Sequence, residues 1–504
     1  MALERSTQTI EIETGVGARA AQALVRAEAL VPGAGRDAIE VLLTNASVEL
    51  TAPEAQTDRV VVEGTVRCQA VYRQGDETTL RALAAQAPLS QVFDMPGVSA
   101  GLTASANAQV EHVEARYENG HMVFLTTVAL ASRAHKLTPA EVITSVDGGA
   151  FETEYLELNS VKTSAESAAS TLVREEVALP AALDARTALM EWGAATVESY
   201  EADLGGIRVK GKAHVESLIA SGVEGRPAAA IKYALDYDQL VELPEWLAQD
   251  VRASASLDRL ETRVEHGGEG EDSTLVIEAE IGVHVRSIGQ DSVSALADSY
   301  ATGGQAVQVA RERIRLCTGV EAVKVTEQVK GALLLSENAP GVGSVIAVVV
   351  HPNVSGWTTG EDSRIEGVLE ANVIYMPGGS DRIASAQSEL PFSIRHQGEL
   401  NDASEVELQV LSAEANALMS DRVELRCALA VNTLTRFVGD ATVVQEISEG
   451  EPVTKRPGIV LFWPASGDSA WTIGRRYAVP VEDVLAMNGG SSVIEAGRAM
   501  VLKI

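Results

Sequence analysis

Three segments of this chain superpose on a glycine. VVVEGTVRCQAVY (Val60 to Tyr72) aligns on Gly64, IRVKGKAHVESLI (Ile207 to Ile219) on Gly211, and RIEGVLEANVIY (Arg364 to Tyr375) on Gly367, with Tyr72, Ile219 or Tyr375 eight residues further on. A pattern that returns at wide intervals means one structural unit used several times, and it sets the fold before any local propensity is weighed. Within the first copy Val62, Val66, Cys68, Ala70 and Tyr72 alternate with Glu63, Thr65, Arg67 and Gln69, the period of a half-buried strand.

Each copy continues through a charged or Gly-rich turn (RQGDE, VEGR, PGGSDR) into a second strand that ends in FDMPG, VELPEW or IRHQGEL. A long strand pair follows: QVEHVEARY with MVFLTTVALASRA, LDRLETRVEH with STLVIEAEIGVHVRS, and VELQVLSAEANAL with DRVELRCALAVNTL. The turns between partners, ENGH, GGEGED and MSD, are short and polar, as hairpin connections are. Upstream, Pro32, Pro180 and Pro340 precede the key glycines by 32, 31 and 27 residues. The unit is therefore about 120 residues long, within the ordinary domain range, and spans 22–146, 171–290 and 328–447. Each copy reads as an antiparallel sheet of about four strands, so the fold class is mainly β. The stretches between copies, FETEYLELNSVKTSAESAAS and the more helical VSALADSYATGGQAVQVARERIRLC, read as connectors or edge elements. Such a train forms a rod or platform with much surface and no obvious pocket, which favours binding or assembly over catalysis.

With 504 residues, 46% hydrophobic and 22% charged, the chain is globular and too long for one core. Its formal charge of -31 repels phosphate backbones and anionic headgroups, which argues against nucleic acid and bare membrane as partners. Cys68, Cys317 and Cys427, an odd count inside apolar stretches, suit reduced thiols in a cytosol. The N-terminal residues lack the pattern of a secretory signal, and no stretch reaches the ~20 apolar residues of a membrane span. The expectation is a protein that works where it is made, without membrane insertion.

Chemistry is not visible. The eight histidines form no metal-ligand spacing, paired carboxylates carry no information in so acidic a chain, and no nucleophile elbow or phosphate-cradling loop occurs. The expectation is no enzyme, no cofactor and no metal.

After the linker GEPVTKRPG (Gly450 to Gly458) the period changes from two to helical. IVLFWPA reads as a strand, and SGDS as a turn and helix start with Asp468 placed to cap the following amides. Ala470, Ile473, Gly474 and Tyr477 give one helix an apolar face, and Val481, Val484, Leu485 and Asn488 give a second. NGGSSVIEAG then leads to the strand RAMVLKI. Strand, helix, helix, strand over 458–504, with Gly467, Asp468, Ser469, Trp471, Ile473, Tyr477, Val481, Leu485, Asn488, Gly497, Leu502 and Ile504 in order, resembles a LysM domain. That resemblance implies a shallow groove binding N-acetylglucosamine polymers, formed here by Gly467, Asp468, Ser469 and Ala470 with Asn488, Gly489, Gly490 and the loop to Ile494. Ala470 stands for the usual Leu, Gly474 for the usual Ala, and Trp463-Pro464 is unusual for the first strand. Trp471 reads as a supporting core aromatic in preference to a sugar platform.

LVPGAGRDAIEVL, VVVEGTVRCQAVY, QVFDMPGV and QVEHVEARY, together with the terminal LysM-like segment, resemble the SPOCS-domain spore coat morphogenetic proteins of the SipL type. The resemblance implies a noncatalytic adaptor in the mother-cell cytoplasm at the forespore surface. Its LysM domain would dock onto the coat basement-layer ATPase, of the SpoIVA kind. The alternative is a protein that binds peptidoglycan glycan strands of the cortex.

Overall fold

The computed structural model describes residues 3–33, 38–75, 77–243, 250–266, 273–303, 305–336, 338–360, 362–380, 382–452 and 458–504. The GGEGED turn, the last residues of VELPEW and most of the linker after Gly450 lie outside the described residues.

The chain is mainly antiparallel β, and its strands fall into three successive sets with the same pairing. The first comprises β1 (Glu4–Leu30), β2 (Ile39–Leu50), β3 (Glu54–Gln56), β4 (Arg59–Gln74), β5 (Arg81–Asp94), β6 (Thr103–Glu118) and β7 (His121–Asp147). The second comprises β8 (Phe151–Ala178), β9 (Ala185–Asp203), β10 (Gly206–Val223), β11 (Arg226–Glu242), β12 (Asp250–Glu265) and β13 (Thr274–Ala301). The third comprises β14 (Gln305–Leu334), β15 (Val342–Trp357), β16 (Arg364–Pro377), β17 (Ala384–Arg395), β18 (Glu405–Met419) and β19 (Arg422–Pro452).

Each set holds two sheets where the sequence pattern pointed to one. The glycine-bearing strand (β4, β10 or β16) is flanked on both sides, and the last strand (β7, β13 or β19) lies between the first and the penultimate. Alternation places Val62, Val66, Cys68, Ala70 and Tyr72 in the core between the two sheets of the first set, and clusters around Ile207 to Val285 and Leu333 to Val431 fill the others.

The recurring glycine has a steric cause. A Cβ would lie 2.3 Å from the Glu49 carbonyl oxygen at Gly64, 2.0 Å from that of Thr196 at Gly211, and 2.1 Å from that of Asn353 at Gly367. In every set the neighbouring strand's backbone occupies the place of a side chain. Tyr72, Ile219 and Tyr375 are all buried, and the Tyr375 hydroxyl donates to the Pro340 carbonyl at 2.8 Å, joining two of the repeated landmarks.

The stretches between copies are strand. FETEYLELNSVKTSAESAAS forms most of β8, the edge of its sheet, and the stretch that reads as more helical forms the end of β13 and the start of β14. These ends pair over their whole length, Phe151 with Ala301 and Val307 with Glu449, and the start of β1 pairs with the end of β7 in the same way. Three two-stranded ribbons thus extend beyond the sheets and pack together as a stem through Ile10, Leu158, Val293, Leu316 and Val443. Long-range pairing overrides the local helical spacing there.

One carboxylate joins all three ribbons. Glu13 in β1 is 8% exposed, accepts the Thr163 N–H of β8 at 2.6 Å and pairs with Arg436 of β19 at 3.3 Å. Burial raises its pKa, but the Thr163 amide, His135 and Arg436 outweigh that and hold it below the usual carboxylate range. At the other end the sets meet through Leu42, Leu43, Met190, Leu218, Val349 and Ile374.

Candidate functional site

Between these two apolar contacts lies a cavity of about 2050 Å³ lined by all three sets, which a reading of the modules one by one did not foresee. It exists only because the sets gather side by side. Its wall is more apolar than polar, and charged groups on it pair with one another: Arg67 with Glu49 at 3.4 Å, and Arg286 with Glu166 at 3.1 Å. Glu191 accepts from Gln69 at 2.6 Å and Thr262 at 3.2 Å across the first and second sets, and burial pushes its carboxyl up to about 7. Burial likewise pushes His351 down to about 4, so its ring is neutral at neutral pH. Among the described residues no group of three or more His, Cys, Asp or Glu is arranged to hold a metal ion. The three thiols are free and buried, and burial raises the pKa of each, that of Cys427 to about 12. They are therefore protonated at neutral pH.

The C-terminal residues form β20 (Ile459–Phe462), α1 (Ala470–Tyr477), α2 (Val481–Ala486) and β21 (Met500–Lys503), with β20 antiparallel to β21. Ala470, Ile473, Val479, Val484, Met500 and Leu502 make their core. The cap of α1 is Ser469, not Asp468. Ser469 Oγ accepts the Thr472 N–H at 3.1 Å while Thr472 Oγ1 accepts the Ser469 N–H at 2.8 Å, a complete capping box. Asp468 turns back instead and accepts the Ala465 N–H at 2.8 Å.

The groove residues of the sequence reading fall into two roles. Gly467, Ser469, Gly489 and Gly490 are exposed on the two loops, whereas Ala470 and Ile494 pack in the core. The loops are tied at their base by the Gly497 N–H donating to the Pro464 carbonyl at 2.8 Å. Asn488 is committed internally: Nδ2 donates to the Val484 and Val501 carbonyls at 2.6 and 2.9 Å, and Oδ1 accepts the Val501 N–H at 2.8 Å.

Trp471 faces the stem. Its ring meets Tyr300 edge-on at 4.8 Å, and Nε1 donates to Asp298 of β13 at 3.1 Å. Asp298, 8% exposed, also takes Arg475 of α1 at 2.6 Å and pairs with Arg311 of β14. The Tyr300 hydroxyl donates to the Val479 carbonyl at 2.9 Å, and a Cβ at position 474 would stand 2.4 Å from that hydroxyl oxygen. Gly474 thus leaves room for that hydroxyl and for the Val479 carbonyl oxygen, 2.7 Å from the same point. Glu152 of β8 accepts the Val481 N–H at the start of α2, and its pKa is raised by burial and by Glu482. Nothing local in ADSYA announces Asp298 and Tyr300 as a docking site; their role appears only once the strands bring them to α1.

The architecture defines a class: a repeated β body carrying a small helix-and-strand unit docked on its stem, with two exposed loops at the unit's surface. Residues 37–118, within the first set, match the family model for the SipL, SPOCS domain, which supports a SipL-type relationship and points to a sporulation-related protein. No curated protein and no solved structure matches the chain. Among the described residues no helix is long and apolar enough to cross a membrane.

Proposed function

We propose that the chain is a noncatalytic adaptor in endospore coat assembly, built from three SPOCS-like modules and a LysM-like unit that docks onto the coat basement-layer ATPase at the forespore surface. The observation that carries this reading is the SipL, SPOCS domain match over residues 37–118. The exposed loops of the C-terminal unit, with Gly467, Ser469, Gly489 and Gly490 at their surface, supply the specific contact. The body supplies further weak contacts that tethering strengthens. Trp471 and Asn488 are committed internally, which takes one aromatic and one amide away from a glycan and favours protein over peptidoglycan.

The test is capture of the purified full chain on recombinant basement-layer ATPase and, in parallel, on purified sacculi. Binding to the ATPase that weakens at least tenfold when the exposed loop residues Ser492 and Val493 are replaced by Arg and Glu, with Asn488 and Ile494 left in place, supports the reading. Retention on sacculi alone overturns it.

A further inference from the structure

The outer face of the β20–β21 ribbon is apolar where its inner face already fills a core. Val460, Phe462, Met500 and Leu502 point inward. The outward residues Ile459 and Leu461 of β20, Trp463 just past its end and Val501 of β21 are 76%, 56%, 59% and 40% exposed, and Lys503, also outward, stands opposite Ile459 at one end of the face. Leu461 stands directly opposite Val501 in the register, so these side chains form one continuous surface. It amounts to about 400 Å², the size of the largest apolar patch on an ordinary monomer and often a functional one. It lies on the opposite side of the ribbon from the two helices, apart from the loops considered above, and it includes the tryptophan that is unusual for this strand.

The same residues carry free backbone valence. Gly458 and Ile504 exchange hydrogen bonds, at 3.3 and 3.0 Å, so they form a bonded pair of the antiparallel ladder. Bonded pairs alternate, so Val460 and Phe462 bond to β21 while the N–H and C=O groups of Ile459 and Leu461 point to the far edge of β20. Among the described residues the ribbon has two strands, and none pairs with that edge.

Charge and area identify the occupant. Residues 458–504 carry four cations (Arg475, Arg476, Arg498, Lys503) against four anions (Asp468, Glu482, Asp483, Glu495), whereas the chain as a whole carries -31. Two copies repel each other, and two such faces together bury about 800 Å², less than the ~1,200 Å² at which stable interfaces begin. The fit is to something smaller and not acidic. The geometry points to strand addition: an extended, non-acidic segment of a second protein, apolar at alternate positions, pairs with that edge of β20 and lays its apolar side chains beside Ile459, Leu461 and Trp463. This holds whatever the loops at 467–470 and 488–494 contact.

The experiment is to pan a random twelve-residue peptide library on the full chain. Enriched peptides are then tested against wild type, Leu461→Lys and Trp463→Lys, both outward positions whose replacement leaves the inner core untouched. Expected are alternately apolar, non-acidic peptides that lose at least tenfold in affinity on both variants and whose binding disappears when the same residues are scrambled out of alternation. Hydrogen exchange of the wild-type complex is expected to show new protection at the Ile459 and Leu461 amides. The proposal is overturned by any of four outcomes. These are no enrichment, equal binding to the variants, protection confined to the loops at 467–470 and 488–494, or a wild-type dimer in sedimentation that Leu461→Lys splits, which would make a second copy the occupant.

Discussion

Two joints in this molecule are each built around one buried carboxylate, and they are not equivalent. Glu13 sits where three ribbons converge, next to Ile10 and Ile12 in an apolar cluster, and touches β8 and β19. Asp298 is buried to the same 8%, but it binds Arg475 and Arg311, whose side chains are 44% and 32% exposed, and it secures a unit with its own separate core. The first joint is part of the body's fold, whereas the second fastens a unit that is already folded. The same chemistry therefore costs more to break where no independent core remains behind it.

Glu13→Ala is expected to have the largest effect. Removing one partner of a buried, hydrogen-bonded ion pair costs about 3–5 kcal/mol, and the loss should appear as a lower thermal midpoint of the whole body. An unchanged midpoint would mean that the apolar cluster alone holds the stem. Asp298→Ala is expected to cost about 1–3 kcal/mol and to act locally. Limited proteolysis should release the C-terminal unit while the body's midpoint stays in place. Gly474→Ala should give the same release, and adding Tyr300→Phe should restore part of the docking by removing the hydroxyl that the new methyl meets. If both variants shift the body's midpoint as Glu13→Ala does, the distinction between the joints fails.

The smallest effect expected is one of pH, and the two kinds of buried carboxylate carry opposite signs. Glu13 has its pKa lowered in the folded chain, so its contribution is present above the ordinary carboxylate range and is lost as pH falls through the folded value. Burial raises Glu191 and Glu216 to about 7 from 4.5. Between those values the folded state holds protons that the unfolded state has released, so stability falls as pH rises from 4.5 toward 7 and then levels off. Each contributes at most about 3 kcal/mol to that slope, and a net value of 1–2 kcal/mol is the working figure. Denaturant midpoints of wild type, Glu191→Gln and Glu216→Gln between pH 5 and 8.5 check it; the variants should show the flatter profile.

Alternation made the strands of the body readable in the chain, because Val62 through Tyr72 bury one face at period two. The key glycines were visible as a repeat, although the carbonyl oxygens that require them belong to partners fifteen, fifteen and fourteen residues upstream. Residues 293–317 were not readable. Alanines and spaced charges there fit a helix locally, and only pairing with distant β8 and β19 makes them strand. The cavity was invisible for a related reason: each module's pattern reports its own core and says nothing about the space enclosed by three of them. At the C-terminal unit both helices and both strands were legible. Which face of α1 is occupied depends on Asp298 and Tyr300, and the cap went to Ser469 because Thr472 could answer it three residues later.

The ribbons of the stem have a mechanical consequence. The unit at their tip is fastened to β13, and β13 runs without a break for 28 residues back into the sheet of the second set. A pull on the tip along the stem slides β13 against β8, so many rungs of the ladder share the load at once instead of opening one by one like a zipper. The stem therefore outlasts the few contacts, at Asp298 and Tyr300, by which the terminal unit holds on to it.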